Sequence, residues 1–286
     1  MNTFPRIAFF GTPDIAVWVL DVLEAHGIIP TLLITNPDAP QGRKMIRTPS
    51  PVARWGETRN IPIYKPEKLN TPEAFSILEQ HQCELFIVTA YGKIIPEAML
   101  TIPKFKTLNV HPSLLPQLRG ASPIRTAILE EILPIGVSIM LLTPRIDDGP
   151  ILAQESIEIP KESWPIRGRE LDALLAKKGG EMLVKVLPAW IAGTCIPQEQ
   201  NHAEATFSKK ITKDMGLINL EDDAYHNFLK IRAFDGWPGT YFFTTKNEHV
   251  MRVKIVDAEY KNGMLVLTRV IPEGKKEMSY EDFLRG

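Results

Sequence analysis

The sequence predicts an α/β domain on a mostly parallel sheet, followed by a small antiparallel barrel. Two observations carry that expectation. In the first part of the chain, short apolar runs closed by turn residues (6–10, 30–35, 85–89) alternate with stretches of helical period (14–26 and from Thr71). Beyond residue 208 the rhythm changes to one helix at 224–234 and then short alternating stretches at 240–244, 250–256 and 264–270. With 286 residues, 44% of them hydrophobic and 23% charged, the chain has ample material for one large or two medium cores. Three segments are expected: a catalytic domain over 1–192, a linker of weak periodicity over 193–208, and a second domain over 209–286.

Each element has a local reason. Residues 6–10 are an apolar run stopped by Gly11 and read as a buried strand. Asp14 is placed to cap the next helix, with Ile15, Val19, Leu20 and Leu23 on its inner face. Residues 38–51, rich in Pro, Gly and basic side chains, read as a loop. Ser50 then caps a helix whose first position suits Pro51. The Pro inside 61–64 marks an edge strand. Thr71 opens another helix, and the wholly apolar 85–89 suits the centre of a parallel sheet. A strand from Thr107, a helix near 124–130 and a strand at 136–142 continue the pattern. Alternation at 151–159 reads as an antiparallel addition, and 169–191 as a long amphipathic helix closing the domain.

Composition narrows the function. A net charge of -1 gives no global attraction to a polyanion, so nucleic acid would have to be held by local basic patches. The 2 cysteines, Cys83 and Cys195, form no disulfide framework or zinc motif, and no metal is expected. No run approaches the ~18 apolar residues of a membrane helix, and the apolar start is broken at once by Gly11-Thr12-Pro13. A monomer in the reducing cytosol, with no membrane partner, is expected. Neither GxGxxG nor GxxxxGK[ST] appears, which argues against dinucleotide and P-loop sites.

The chemistry concentrates at Asn109-Val110-His111. Alternate strand residues point the same way, so the amide and the imidazole can aim at one spot just before the irregular turn of Ser113, Leu114, Leu115 and Pro116. Two convergent donors make an oxyanion site, and a carboxylate can orient the imidazole. Asp147, in Asp147-Asp148-Gly149-Pro150 after the 136–142 run, is positioned to supply it. The plainer readings are a turn-forming Asn, a core His and an Asx-turn at Asp147 or Asp148. Arg43, Lys44 and Arg47 cluster in the 38–51 loop, and Lys209-Lys210 sit at the domain junction; such charges are either solvated or track phosphates.

The motif Asn109…His111-x-Ser113-Leu114-Leu115-Pro116…Arg119-Gly120, followed by Asp147-x-Gly149, resembles the folate-dependent formyltransferases. Phe10-Gly11-Thr12-Pro13-Asp14, Ala90-Tyr91-Gly92-x-Ile94-Ile95-Pro96, Pro49-Ser50-Pro51-Val52 and Trp237-Pro238-Gly239 are similar to the branch that uses methionyl-tRNA. The resemblance spans essentially the whole chain. It implies a Rossmann-like catalytic domain and an OB-like second domain. It implies 10-formyltetrahydrofolate as donor and the α-amino group of initiator methionyl-tRNA as acceptor, with Asn109, His111 and Asp147 as the catalytic trio. Ser113, Leu114, Leu115 and Pro116, with Tyr91, Gly92, Ile94 and Ile95, would line the folate site. Arg43, Lys44, Arg47, Lys209 and Lys210 would contact tRNA. The alternatives are a formyltransferase acting on a nucleotide-linked amino sugar, a hydrolase releasing formate, and a non-catalytic RNA-binding protein.

Overall fold

The computed structural model describes residues 4–41, 45–246 and 248–285. The first strand, β1 (Ile7–Gly11), is buried throughout. Helix α1 (Asp14–Ala25) buries Ala16, Val19, Leu20 and Leu23, the spacing of one helix face, with Ile15 only half-buried. Pro13, not Asp14, is its N-cap; Asp14 is the first helical residue and acts on the dipole from there. After β2 (Leu32–Ile34), the expected loop contains an antiparallel hairpin of β3 (Ala39–Gln41) and β4 (Ile46–Thr48). Ser50 caps α2 (Pro51–Glu57), its Oγ accepting from the Ala53 N–H at 3.0 Å, with Pro51 opening the helix. Next come β5 (Ile63–Tyr64), α3 (Pro72–Gln80) capped by Thr71, β6 (Leu85–Thr89), α4 (Glu97–Leu100) and β7 (Thr107–His111). They are followed by β8 (Arg119–Gly120), α5 (Pro123–Leu129), β9 (Ile135–Leu141), β10 (Ile151–Ile157) and α6 (Gly168–Ile191).

The main sheet has seven strands in the order β10-β9-β7-β6-β1-β2-β5. β7, β6, β1, β2 and β5 run parallel, whereas β9 is antiparallel to β7 and β10 to β9. The chain moves from β1 one way to β2 and β5, then the other way to β6 and β7. That reversal opens a crevice at the carboxyl ends of the central strands, where ligands bind in such sheets. Helix α6 packs directly on this sheet because it carries Gly179 and Gly180. A Cβ at Gly179 would lie 2.5 Å from Val110 of β7, and one at Gly180 would lie 2.7 Å from Val22 of α1.

The chain divides into two compact units. The first comprises the residues up to Arg119, Ile135–Ile157 and Ala173–Phe207; the second comprises Gly120–Pro134, Glu158–Asp172 and the chain from Ser208 on. Residues 120–134 and 158–172 thus cluster with the C-terminal part of the chain although they precede residue 192. Side-chain pairing explains their place in the second. Arg125 binds Asp172 at 2.6 Å, Tyr225 Oη donates to Glu131 at 2.5 Å, and Arg167 pairs with Asp257. None of these pairs leaves a trace in hydrophobic periodicity. The second unit also contains β11 (Phe207–Ser208) from Ser208 on, α7 (Ala224–Ala233), β12 (Thr240–Lys246), β13 (His249–Lys261), β14 (Met264–Pro272), β15 (Met278–Ser279) and α8 (Tyr280–Arg285). Strands β12-β13-β14-β15 form an antiparallel sheet over a core that includes Ile231, Phe242, Val253, Val270 and Phe283. Among the described residues no helix is long and apolar enough to cross a membrane.

Candidate active site

Asn109 and His111 lie two residues apart on β7 and are 8% and 4% exposed, so both are polar groups in a buried strand. Buried polar groups require partners, and the loop between β9 and β10 supplies one. The Asn109 amide donates to Asp147 Oδ1 at 3.4 Å, and His111 Nδ1 lies 3.7 Å from Asp147 Oδ2. One carboxylate thus gathers the amide and the imidazole. The other ring nitrogen, His111 Nε2, is 3.1 Å from the Leu118 carbonyl. A carbonyl only accepts, so Nε2 carries a proton and donates. Nδ1 is therefore the nitrogen that faces Asp147, and in the neutral ring it is the acceptor.

The neighbouring acid has another role. Asp148 is buried and accepts a hydrogen bond from the Thr143 hydroxyl, while its Oδ2 meets Arg145 Nε at 2.5 Å. It ties the loop to itself, and Asp147 alone of the two faces Asn109 and His111. The turn is tight. Asp147 has φ +47°, a left-handed conformation that Asp tolerates better than most residues. A Cβ at Gly149 would stand 2.0 Å from the Leu141 carbonyl oxygen, so only glycine fits.

The Ser113–Pro116 turn is locked from within. Ser113 Oγ donates to the Gln117 carbonyl at 2.6 Å. Ser138 Oγ donates to the Ser113 carbonyl at 2.7 Å and accepts from the Leu115 N–H at 3.1 Å. Gln154 Nε2 donates to the Leu115 carbonyl at 2.8 Å. The Ser113 hydroxyl is therefore committed to the loop, and Leu115 is buried while Leu114 and Pro116 are half-buried. Tyr91 and Ile95 are buried in one apolar cluster, against which Leu142, at the start of the Asp147 loop, also packs. Gly92, at φ +81°, and Ile94, 89% exposed, lie on the solvent side of the same segment. The Tyr91 carbonyl accepts from Thr12 Oγ1 and Asn36 Nδ2, both at 3.2 Å, which joins the ends of β1, β2 and β6. Burial raises the Tyr91 phenol well above its ordinary pKa.

Of the expected basic contacts, Arg47 is exposed on β4 and donates to the Asp38 carbonyl at 3.2 Å. Arg43 and Lys44 lie outside the described residues. Lys209 and Lys210 are exposed in the second unit. Sequence reasoning missed Gln200, which is 6% exposed and touches the Asp147 turn. Its segment had read as a linker, and no local pattern marks it.

Residues 5–187 match the formyl transferase family model, and residues 210–264 match that of the formyl transferase C-terminal domain. The methionyl-tRNA formyltransferase of Herpetosiphon aurantiacus is 36% identical over 98% of this chain and 97% of its own. This chain belongs to the formyl transferase family, among the methionyl-tRNA formyltransferases. Solved structures share the fold. The methionyl-tRNA formyltransferase from Clostridium thermocellum superposes with a TM-score of 0.61 at 17% identity, covering 94% of this chain and 99% of that one. HypX from Aquifex aeolicus, in complex with tetrahydrofolic acid, gives 0.68 at 15% identity, covering 99% of this chain and 47% of that one. In this formyl transferase, Gly149→Ala is expected to lower stability by about 1–3 kcal/mol through overpacking against Leu141. Chemical denaturation measures it, and an unchanged midpoint would show that the turn yields freely.

Proposed function

We propose that the protein transfers a formyl group from 10-formyltetrahydrofolate to the α-amino group of initiator methionyl-tRNA, giving N-formylmethionyl-tRNA for translation initiation in the cytoplasm. The observation that carries the reading is the single Asp147 carboxylate facing both the Asn109 amide and His111 Nδ1. It occurs in a chain whose likeness to methionyl-tRNA formyltransferases runs from end to end.

The segment expected to line the folate runs along one apolar cluster: Tyr91 and Ile95 are buried in it, Leu142 packs against it, and Gly92 and Ile94 are exposed beside it. In the reaction the bond from the acceptor nitrogen to the formyl carbon forms, the bond from that carbon to the folate nitrogen breaks, and the amine proton ends on the folate nitrogen. Asn109 Nδ2 donates to the formyl oxygen as it becomes anionic. His111 Nδ1, when protonated, donates a second bond while Nε2 keeps its bond to Leu118. Asp147 orients the ring and relays the amine proton. Donors fixed beforehand need no reorganisation as the charge develops.

The basic loop of Arg43, Lys44 and Arg47 holds the acceptor end of the tRNA, and Lys209, Lys210 and the second unit, read as OB-like, hold more of it. Arg43→Ala is expected to raise the KM for methionyl-tRNA and to reduce its log–log salt slope by about 0.7–0.9; an unchanged KM would remove that role. Incubation with 10-formyltetrahydrofolate and methionyl-tRNA tests the whole reading. Formylated methionyl-tRNA supports it. Formate release without acceptor would indicate a hydrolase, formylation of a nucleotide-linked amino sugar would indicate the sugar enzyme, and RNA binding without turnover would indicate a binding module.

A further inference from the structure

Gln200 uses every hydrogen-bonding position of its side-chain amide. Nε2 donates to the Asp147 carbonyl at 3.0 Å and to the Gly149 carbonyl at 2.7 Å. Oε1 accepts from Arg119 Nε at 3.1 Å and from Arg119 Nη2 at 2.6 Å. The partners fix the amide's orientation, since reversal would set an oxygen against two carbonyls and an NH₂ against a guanidinium. Arg119 is itself 5% exposed, and its Nη2 also donates to His202 Nδ1 at 2.9 Å.

Two further facts give this arrangement a purpose. The carbonyls that Gln200 grips flank Asp148 and so hold the chain where it leaves the turn at the left-handed Asp147. Such a conformation at a non-glycine residue persists when its surroundings over-determine it. In addition, Leu118, the residue next to Arg119, supplies the carbonyl that fixes His111 Nε2, and its own N–H is tied to Thr206 Oγ1 at 2.9 Å. Residues 118 and 119 therefore anchor the imidazole directly and the carboxylate through Gln200.

We infer that Gln200 is a positioning residue. By clamping the main chain at Asp147 and Gly149 to Arg119, it sets the carboxylate against Asn109 and His111, which makes the segment expected to be a linker part of the catalytic apparatus. The activity arm of its test rests on the formyl-transfer reading; the spectroscopic arm does not.

Two variants separate the clamp from simple burial. Gln200→Met keeps length and removes every polar contact. Gln200→Glu keeps the acceptor for Arg119 and, when ionised, removes both donors to the loop. Both are expected to lower kcat roughly tenfold or more, as misplacement of a reacting group does, with the KM for methionyl-tRNA and for 10-formyltetrahydrofolate unchanged. The His111 ring resonances are then recorded by NMR at one fixed pH without substrates. In Gln200→Met they are expected to move in the same sense as in Asp147→Asn, because both variants change what faces Nδ1. Wild-type kcat in either variant overturns the inference. So do His111 resonances in Gln200→Met that match wild type, or that Asp147→Asn itself leaves unmoved. If Gln200→Met does not fold, Gln200→Glu, which preserves the buried Arg119 contact, carries both measurements. Absence of transfer by the wild-type protein would sink the functional reading alone, with the His111 resonances still deciding the clamp.

Discussion

Asn109→Ala is expected to slow formyl transfer about a hundredfold or more, the loss of about 3 kcal/mol that removal of one oxyanion donor brings. The effect should fall on kcat. The amide meets the formyl oxygen fully only as negative charge builds there, so substrate binding loses little. His111→Ala should lose at least as much, and it also leaves the Leu118 carbonyl without the Nε2 donor, at a cost of about 1–3 kcal/mol of stability. Because both donors serve one oxygen, the double variant should be less impaired than the product of the single losses. Steady-state kinetics on variants shown by calorimetry to be folded make the comparison. A folded Asn109→Ala, His111→Ala double variant with near-native kcat would mean that the trio is not the catalytic centre.

Asp147→Asn should produce the other large effect, up to about 10⁴-fold in kcat, as seen where an amide replaces the carboxylate that orients a catalytic imidazole. Asparagine tolerates the left-handed backbone, so the turn at φ +47° should survive and the loss should report chemistry rather than folding. Asp148→Asn provides the contrast. Its carboxylate is buried against Thr143 and Arg145, away from the imidazole, so kcat should stay near wild type while stability falls. Measuring both by single-turnover kinetics and denaturation tests the assignment. Equal kinetic losses in the two variants would mean that the acids share the role and that the turn rearranges during the reaction.

Much of this is legible in the sequence. Ser50-Pro51 announces a capped helix, and the Ser50 hydroxyl does receive the Ala53 N–H. The apolar run of β6 announces a central strand, and all five of its residues are buried. The hairpin of β3 and β4 was not legible, because a Pro- and Gly-rich charged stretch lacks strand alternation. Nor was the antiparallel course of β9, since strand direction depends on how the chain returns to the sheet rather than on the strand's own residues. The place of α5 in the second unit depended likewise on side-chain pairs such as Tyr225–Glu131, 94 positions apart.

The amino-acid order by itself determined the main strands and helices of the first unit, and it set Asn109 and His111 on one face of a strand. Period, capping and alternation act over a few residues, where chain connectivity already fixes geometry. Only the tertiary structure decided that Asp148 turns instead to Thr143 and Arg145, which imidazole nitrogen faces Asp147, and that Gln200 grips the turn from 53 positions away. Those outcomes depend on distances through space between groups far apart along the chain, which are set only when the sheet and its loops have closed.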